Sequence, residues 1–159
     1  MNAQSHTGVQ PTPAMVHLLG NIIRFKATGS QTGNAYSLVE VMTAPGAGTP
    51  PHFQKDDDEA FLVLEGSYEF THNARVVAGK PGTYLFIGRG EPHSFRNDGD
   101  RPAKMLIINS PGGLHEKFFA EAGDPIAEDA GFPPAAAPDM PRLLAASARY
   151  GIEYLPPKA

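Results

Sequence analysis

Residues 46–66 read GAGTPPHFQKDDDEAFLVLEG, which predicts two short β-strands joined by a turn. Alternate residues of a β-strand lie on one face, so His52 and Gln54 are expected to point the same way. Glu59 follows a turn rich in lysine and aspartate and opens the next apolar strand. A hairpin between the two strands would therefore bring Glu59 beside His52 and Gln54.

A second stretch, residues 82–97, reads GTYLFIGRGEPHSFRN and supplies His93 after an Arg-Gly-Glu-Pro turn. Two imidazoles and one carboxylate with open positions are the ligands of non-haem iron and related divalent sites. Gln54 would add an amide oxygen, which is a weaker donor than imidazole. We therefore predict one divalent metal ion at His52, Gln54, Glu59 and His93. Iron, manganese, nickel, cobalt and zinc all suit these donors.

Three aromatic residues are candidates for the wall of a substrate pocket. Phe61 lies two residues beyond Glu59 and Phe95 two residues beyond His93, so strand alternation places both on the ligand face. Tyr84 is a third candidate. The alternative for all three is plain core packing.

The hydrophobic pattern and the composition divide the chain into three segments. From residue 15 to 110, short apolar or alternating runs are punctuated by glycine, proline and Asn-Asp turns, which is typical of an all-β sandwich or barrel. We expect a flexible arm over residues 1–14, the barrel over 15–110 and a helical extension of the same domain over 111–159. No internal repeat indicates a second barrel.

Two segments of this extension have helical patterns. In GGLHEKFFAEAG, Leu114, Phe118 and Ala122 lie four residues apart. After a proline- and alanine-rich linker, Asp139 offers an N-cap for a second helix that Gly151 ends. The apolar residues expected on one face of that helix are Met140, Leu143, Leu144 and Ala148.

Composition excludes several function classes. The chain has 159 residues, which suits one domain, and no cysteine, so neither disulfides nor thiolate metal or redox sites can form. The net charge of −4 comes with scattered lysines and arginines, which favours neither nucleic acid nor an anionic membrane as a partner. No targeting or membrane-spanning pattern occurs, so we expect a soluble, cytoplasmic protein.

Both stretches resemble the motifs of the cupin superfamily. Gly46, His52, Glu59 and Gly66 match the first motif at its spacing, and Gln54 replaces its second histidine. Four residues match the second motif at its spacing: Gly82, Gly90, His93 and Asn97. Gly88 stands where that motif has a proline. Over about residues 34–120 the chain looks similar to small proteins related to quercetin 2,3-dioxygenase.

The resemblance implies an antiparallel jelly-roll barrel with the two short C-terminal helices packed outside. It implies a metal held by histidines and a glutamate, and it gives Glu59 the role of a catalytic base on a substrate hydroxyl. It also implies a small-molecule substrate. Together with the apolar N-terminal strands, it suggests a homodimer.

Three functions remain open at this stage. The first is a metal-dependent dioxygenase for a small enolic or phenolic substrate, such as a flavonol or β-diketone. The second is a polyketide cyclase, isomerase or lyase in which the metal acts only as a Lewis acid. The third is a non-catalytic small-molecule-binding barrel, which Gln54 keeps open because it weakens the ligand set.

Other polar residues are given structural roles. Residues 56–58, all aspartates, are read as a solvated turn because their spacing does not fit a calcium loop. Four histidines outside the motifs are read as surface residues. They are His6, His17, His72 and His115. Of these, His115 is the one whose helix could turn it toward the barrel mouth.

Overall fold

The computed structural model describes residues 12–156 of the protein, which form twelve strands and three helices. The strands are β1 (Met15–Leu18), β2 (Asn21–Ala27), β3 (Ser37–Thr43), β4 (Gly48–Gln54), β5 (Asp58–Glu65), β6 (Tyr68–His72), β7 (Arg75–Gly79), β8 (Tyr84–Ile87), β9 (His93–Asn97), β10 (Ala103–Ser110), β11 (Asp124–Pro125) and β12 (Ile152–Tyr154). The helices are α1 (Gly29–Thr32), α2 (His115–Ala122) and α3 (Met140–Arg149). Within this part of the chain, no helix is long and apolar enough to cross a membrane.

The strands form two antiparallel sheets. One has the order β11-β1-β2-β3-β10-β5-β8, and the other has the order β12-β4-β9-β6-β7. The predicted all-β jelly-roll architecture is confirmed, with one difference. The described strands form two separate hydrogen-bonded sheets rather than one continuous closed barrel. Most of the predicted N-terminal arm, residues 1–11, lies outside the described residues.

The core lies between the sheets and follows from strand alternation. In β5, Glu59, Phe61 and Val63 are buried while the residues between them are more exposed. The Phe61 ring lies 5.2 Å from that of Phe70 and 5.9 Å from that of Phe95, which belong to the other sheet. These edge-to-face and tilted aromatic contacts join the two sheets.

The motif glycines are turn residues. Four of them have positive φ, a region that residues with a side chain rarely adopt: Gly46, Gly66, Gly82 and Gly90. The amide of Gly46 donates to the Asn97 carbonyl at 2.9 Å, which ties the start of the first motif to the end of the second. Asn97 is fully buried and its amide donates to two backbone carbonyls, so its role is structural.

The predicted C-terminal helices form, but the buried face of α3 differs from the expected one. Asp139 caps α3 as predicted, because its carboxylate accepts from the Arg142 amide at 3.0 Å. Leu143 is 4% exposed whereas Leu144 is 51% exposed. The buried residues are Leu143, Ala146 and Ser147. Because α3 packs mainly against α2 and β12, a narrow stripe suffices and Leu144 remains in solvent.

These adjacent leucines give a matched test of the packing of α3. Leu143→Ala should lower the free energy of unfolding by about 2–4 kcal/mol, because it leaves a cavity in a packed interface. Leu144→Ala should change it by less than about 0.5 kcal/mol. Urea unfolding followed by circular dichroism measures both. Equal effects of the two substitutions would show that α3 is not docked in this orientation.

Strand β12 has no counterpart among the elements predicted from the sequence. This strand pairs antiparallel with β4, where Ile152 lies opposite Gln54 and Tyr154 opposite His52. The C-terminal extension therefore contributes a strand as well as helices. It also places two side chains, Ile152 and Tyr154, in the wall of the cavity described below.

Candidate metal centre

Three side chains from the two sheets meet in the interior. His52 on β4 and His93 on β9 are partners across adjacent strands, and Glu59 extends toward them from β5 in the facing sheet. Each offers one possible ligand atom, and these atoms all lie within 4.8 Å of one another. All three residues are buried, with exposures of 7%, 3% and 3%. The predicted convergence of the two motifs is thus present in the structure.

The backbone sets the orientation of both imidazoles. Nδ1 of His52 lies 2.8 Å from the Pro50 carbonyl oxygen, and Nδ1 of His93 lies 2.9 Å from the Glu91 carbonyl oxygen. A carbonyl only accepts, so each Nδ1 carries a proton and donates it. Each Nε2 is then the nitrogen available to a ligand. Hydrogen bonds of this kind orient the imidazoles of metal sites.

Charge within the trio is concentrated on Glu59 and His93. Burial alone would raise the pKa of the Glu59 carboxyl, but the imidazoles of His115, His93 and His52 lower it to about 2. Burial alone would lower the pKa of His93, but its contact with Glu59, 2.8 Å from Nε2 to Oε2, raises it. Glu59 is therefore a buried carboxylate whose nearest partner is the His93 imidazole, and this contact favours the charged form of both groups.

The pKa of His52 shifts in the direction opposite to that of His93. Burial, followed by repulsion from His93, lowers its pKa to about 4. Its imidazole is thus neutral at neutral pH, which is the form that binds metal. Two imidazoles and one buried carboxylate are a donor set that fits a divalent metal ion, and a bound cation could replace any proton on Nε2 of His93.

Gln54, a predicted ligand, lies in the site but is already engaged. It is 2% exposed, and its Nε2 lies 3.2 Å from Oε2 of Glu59 and 3.0 Å from Nδ1 of His115. Its amide group thus bridges a carboxylate and an imidazole, with the nitrogen rather than the oxygen facing Glu59.

His115 is a site residue that the motif spacing missed. It is the first residue of α2, 5% exposed, and its Nε2 lies 3.6 Å from Oε1 of Glu59. The expectation that it is a surface residue was wrong, because its helix turns it inward, where it lines the cavity described below. The helical pattern of α2 was the available signal, because Leu114, Phe118 and Ala122 place His115 beside the apolar face.

Asp57 corrects the reading of residues 56–58 as a solvated turn. It is 1% exposed, and its Oδ2 accepts from the amide of Asn109 at 2.9 Å. The same oxygen lies 3.9 Å from Nδ1 of His115. Burial is the main cause that raises the pKa of Asp57 to about 6, while His115 opposes the shift. Of the three aspartates, Asp57 therefore points into the interior and lies beneath His115.

The raised pKa of Asp57 predicts a pH-dependent stability. Because the folded state binds this proton more tightly than the unfolded state, the stabilising contribution is fully present below about pH 4 and is lost as pH rises through about 6. Asp57→Asn cannot ionise, so above pH 6 it should stabilise the metal-free protein by about 1–2 kcal/mol.

The matched control is Asp56→Asn, since Asp56 is exposed. Urea unfolding at pH 4 and at pH 8 measures all three proteins. The advantage of Asp57→Asn should be confined to pH 8. An equal gain at both pH values, or a gain in Asp56→Asn, would contradict the burial of an ionised Asp57.

A largely apolar cavity with a volume of about 40 Å³ adjoins the trio. Phe61 and Phe95 line it, as strand alternation predicted, and His52, Glu59 and His115 are among its polar lining residues. Tyr84 does not line it. That side chain is 62% exposed on β8, an edge strand, and points away from the core, so its predicted pocket role is not met.

Comparison with known proteins gives a family match and several relatives. Residues 39–109 match the family model described as Cupin domain. The chain is 30% identical over 131 residues to quercetin 2,3-dioxygenase of Bacillus subtilis, which covers 81% of this chain and 38% of that protein. The chain thus spans well under half the length of that relative.

Two further similarities concern polyketide biosynthesis proteins. The tetracenomycin polyketide synthase protein TcmJ of Streptomyces glaucescens is 26% identical over 119 residues, which cover 74% of this chain and 80% of that protein. The solved structure of the polyketide cyclase RemF from Streptomyces resistomycificus superposes with a TM-score of 0.52 at 25% identity. That superposition covers 69% of this chain and 80% of the other.

Proposed function

This chain is a small cupin that resembles quercetin 2,3-dioxygenase-like proteins, and on that premise we propose that it is a metal-dependent dioxygenase of a small enolic or phenolic substrate. His52, Glu59 and His93 would hold one divalent ion. Its substrates would be flavonol- or β-diketone-like. Glu59 would be the base that takes the proton of the substrate hydroxyl.

The observation that carries this proposal is the placement of Glu59. It is buried between two imidazoles, ionised, and at the wall of an apolar cavity lined by Phe61 and Phe95. A buried carboxylate is costly unless charged or hydrogen-bonding partners compensate it. A carboxyl group whose pKa is strongly shifted and that lies beside a cavity is also a common mark of a reactive site.

The properties of Glu59 restrict the substrate class. A bound divalent ion supplies Lewis acidity and, if redox-active, electrons for reaction with dioxygen. A carboxyl with a pKa of about 2 is a weak base, so it can deprotonate only a fairly acidic hydroxyl. Enols and phenols meet that requirement better than ordinary alcohols. The apolar wall favours an aromatic or alkyl body on the same molecule.

The cavity also limits access. A volume of about 40 Å³ holds one or two water-sized groups, less than an aromatic substrate needs. Binding of a flavonol-like molecule would therefore require the wall to open. Phe118 and Phe119 of α2 form part of that wall, and they lie on an element that packs outside the two sheets.

A polyketide cyclase is the second candidate. It is favoured by the similarity to RemF and TcmJ, because TcmJ is matched over 80% of its length whereas the Bacillus dioxygenase is matched over 38%. In a cyclase the same carboxylate would remove a proton from a substrate carbon or hydroxyl, and no dioxygen would be consumed. The three residues of the site would keep their places.

The test begins with the metal content of protein purified without added metal, followed by reconstitution with single divalent metals. An oxygen electrode then screens flavonols and β-diketones. Dioxygen uptake that depends on the metal is the expected result. Turnover under nitrogen would replace the dioxygenase by the cyclase, and tight binding of the same ligands by metal-free protein without turnover would favour a binding barrel.

A further inference from the structure

The metal site built from the motifs is one imidazole short, because Gln54 occupies the place of a histidine. The Gln54 amide nitrogen has two hydrogens, and both have acceptors in Oε2 of Glu59 and Nδ1 of His115. Its oxygen faces away from Glu59. Gln54 therefore fits the role of a positioning residue that holds two neighbours better than the role of a ligand.

His115 is the imidazole that stands nearest to the gap. Glu59 has one carboxylate oxygen 2.8 Å from Nε2 of His93 and the other 3.6 Å from Nε2 of His115. His115 lines the same cavity as His52 and Glu59. Its ring packs perpendicular to that of Phe119, with centroids 4.5 Å apart, so α2 holds the ring against the site.

A carboxylate lies behind the His115 ring. Oδ2 of Asp57 is 3.9 Å from Nδ1 of His115, and Oδ1 of Asp57 is buried without a hydrogen-bond partner among the described residues. An imidazole that binds metal through one nitrogen commonly donates from the other to a carboxylate. Asp57 is thus a buried acceptor, only partly used, on the side of His115 away from Glu59.

We propose that His115 is the third imidazole of the metal site and supplies, from α2, the nitrogen that the motif lacks at Gln54. This inference rests on the proposed metal binding by His52, Glu59 and His93. His115 Nε2 would bind the ion next to Glu59, and its proton would move to Nδ1. The protonated Nδ1 would then donate a hydrogen bond to Asp57 or, after rotation of the Gln54 amide, to the Gln54 oxygen. The change is one of tautomer, so no net proton is lost from His115.

The distance between His115 and Glu59 indicates how far the His115 ring must move to bind the ion. His115 lies outside the trio whose ligand atoms are within 4.8 Å of one another, and its Nε2 approaches the trio at Oε1 of Glu59, 3.6 Å away. Two ligand atoms bound to one ion at about 2.1 Å and at right angles lie about 3 Å apart. A shift of the ring by roughly half an ångström would therefore bring Nε2 into range of an ion bound to Oε1 of Glu59. A further movement toward the imidazoles of His52 and His93 would complete the site, because His115 lies outside the 4.8 Å trio.

The test counts imidazoles on the bound metal. Pulsed electron paramagnetic resonance on Cu²⁺-loaded protein detects the remote nitrogen of each bound imidazole. Wild type should show three and His115→Gln two, with Zn²⁺ affinity measured by calorimetry falling by about 10-fold or more. The control is His17→Ala, since His17 lies on β1 outside this cavity, and it should retain three imidazoles and full affinity.

A rescue variant separates ligation from a structural role. Adding Gln54→His to the His115→Gln background returns an imidazole to the motif position, so the count should return to three. If wild type binds one ion with only two imidazoles, the inference about His115 is wrong, while metal binding by His52, Glu59 and His93 is retained. This outcome is measured on the wild-type protein alone, so it does not depend on whether any variant folds. If wild type binds no metal, the proposed function itself fails and takes the inference with it.

Discussion

His93→Ala is expected to abolish stoichiometric binding of divalent metal, with affinity falling by at least about 100-fold. Loss of a supporting partner behind a ligand costs about 10–100-fold, and His93 is a ligand in this account. The substitution also removes the imidazole 2.8 Å from Glu59, which leaves the buried carboxylate short of a partner. Calorimetric titration of metal-free protein with Zn²⁺ measures the loss.

The matched control is His72→Ala. His72 lies directly opposite His93 in the pairing of β6 with β9, but its Nε2 is 2.8 Å from Oε2 of Glu91 rather than from the site. Its removal should leave metal affinity unchanged. Retained affinity in His93→Ala would mean that the cupin spacing persists here as architecture, without its metal.

Glu59→Gln should reduce turnover per bound metal by about 100-fold or more at saturating metal. An amide cannot accept the substrate proton, although it has nearly the shape of the carboxylate. Metal affinity should fall as well, because the ion loses an anionic ligand, so the rate must be divided by the metal content of each sample. The oxygen-electrode assay on the substrate found in the screen measures it.

Glu65→Gln is the matched control for this prediction. Glu65 ends the same strand, β5, and is exposed to solvent, where its Oε1 lies 3.6 Å from Nζ of Lys104. Its turnover and metal content should equal those of wild type. A Glu59→Gln protein with full metal and undiminished turnover would remove Glu59 as the base.

Much of this architecture could be predicted because it depends on local rules. Glycine spacing gave the turns, and strand alternation placed His52, Phe61 and Phe95 inside. The same alternation cannot say which face of an edge strand is covered. Tyr84 on β8 therefore alternates correctly and still points to solvent, since nothing packs over its outer side in the described chain.

The positions of the residues that the sequence did not predict depend on contacts between segments that are far apart in the chain. The contact between His115 and Gln54 joins residues 61 positions apart, and it exists because α2 packs against β1 and β3. Asp57 is buried because His115 and Asn109 close over it, although an aspartate between two others looks solvated in sequence. The pairing of β12 with β4 has the same origin, since three residues after a helix carry little strand signal.

The most direct measurement is a crystal structure of the protein soaked with one divalent transition metal, with anomalous data collected at that metal's absorption edge. The account predicts a single strong anomalous peak about 2.0–2.2 Å from Nε2 of His52, Nε2 of His93 and an oxygen of Glu59. A saturated crystal with no peak among these three side chains, or with its peak elsewhere on the chain, would contradict the account.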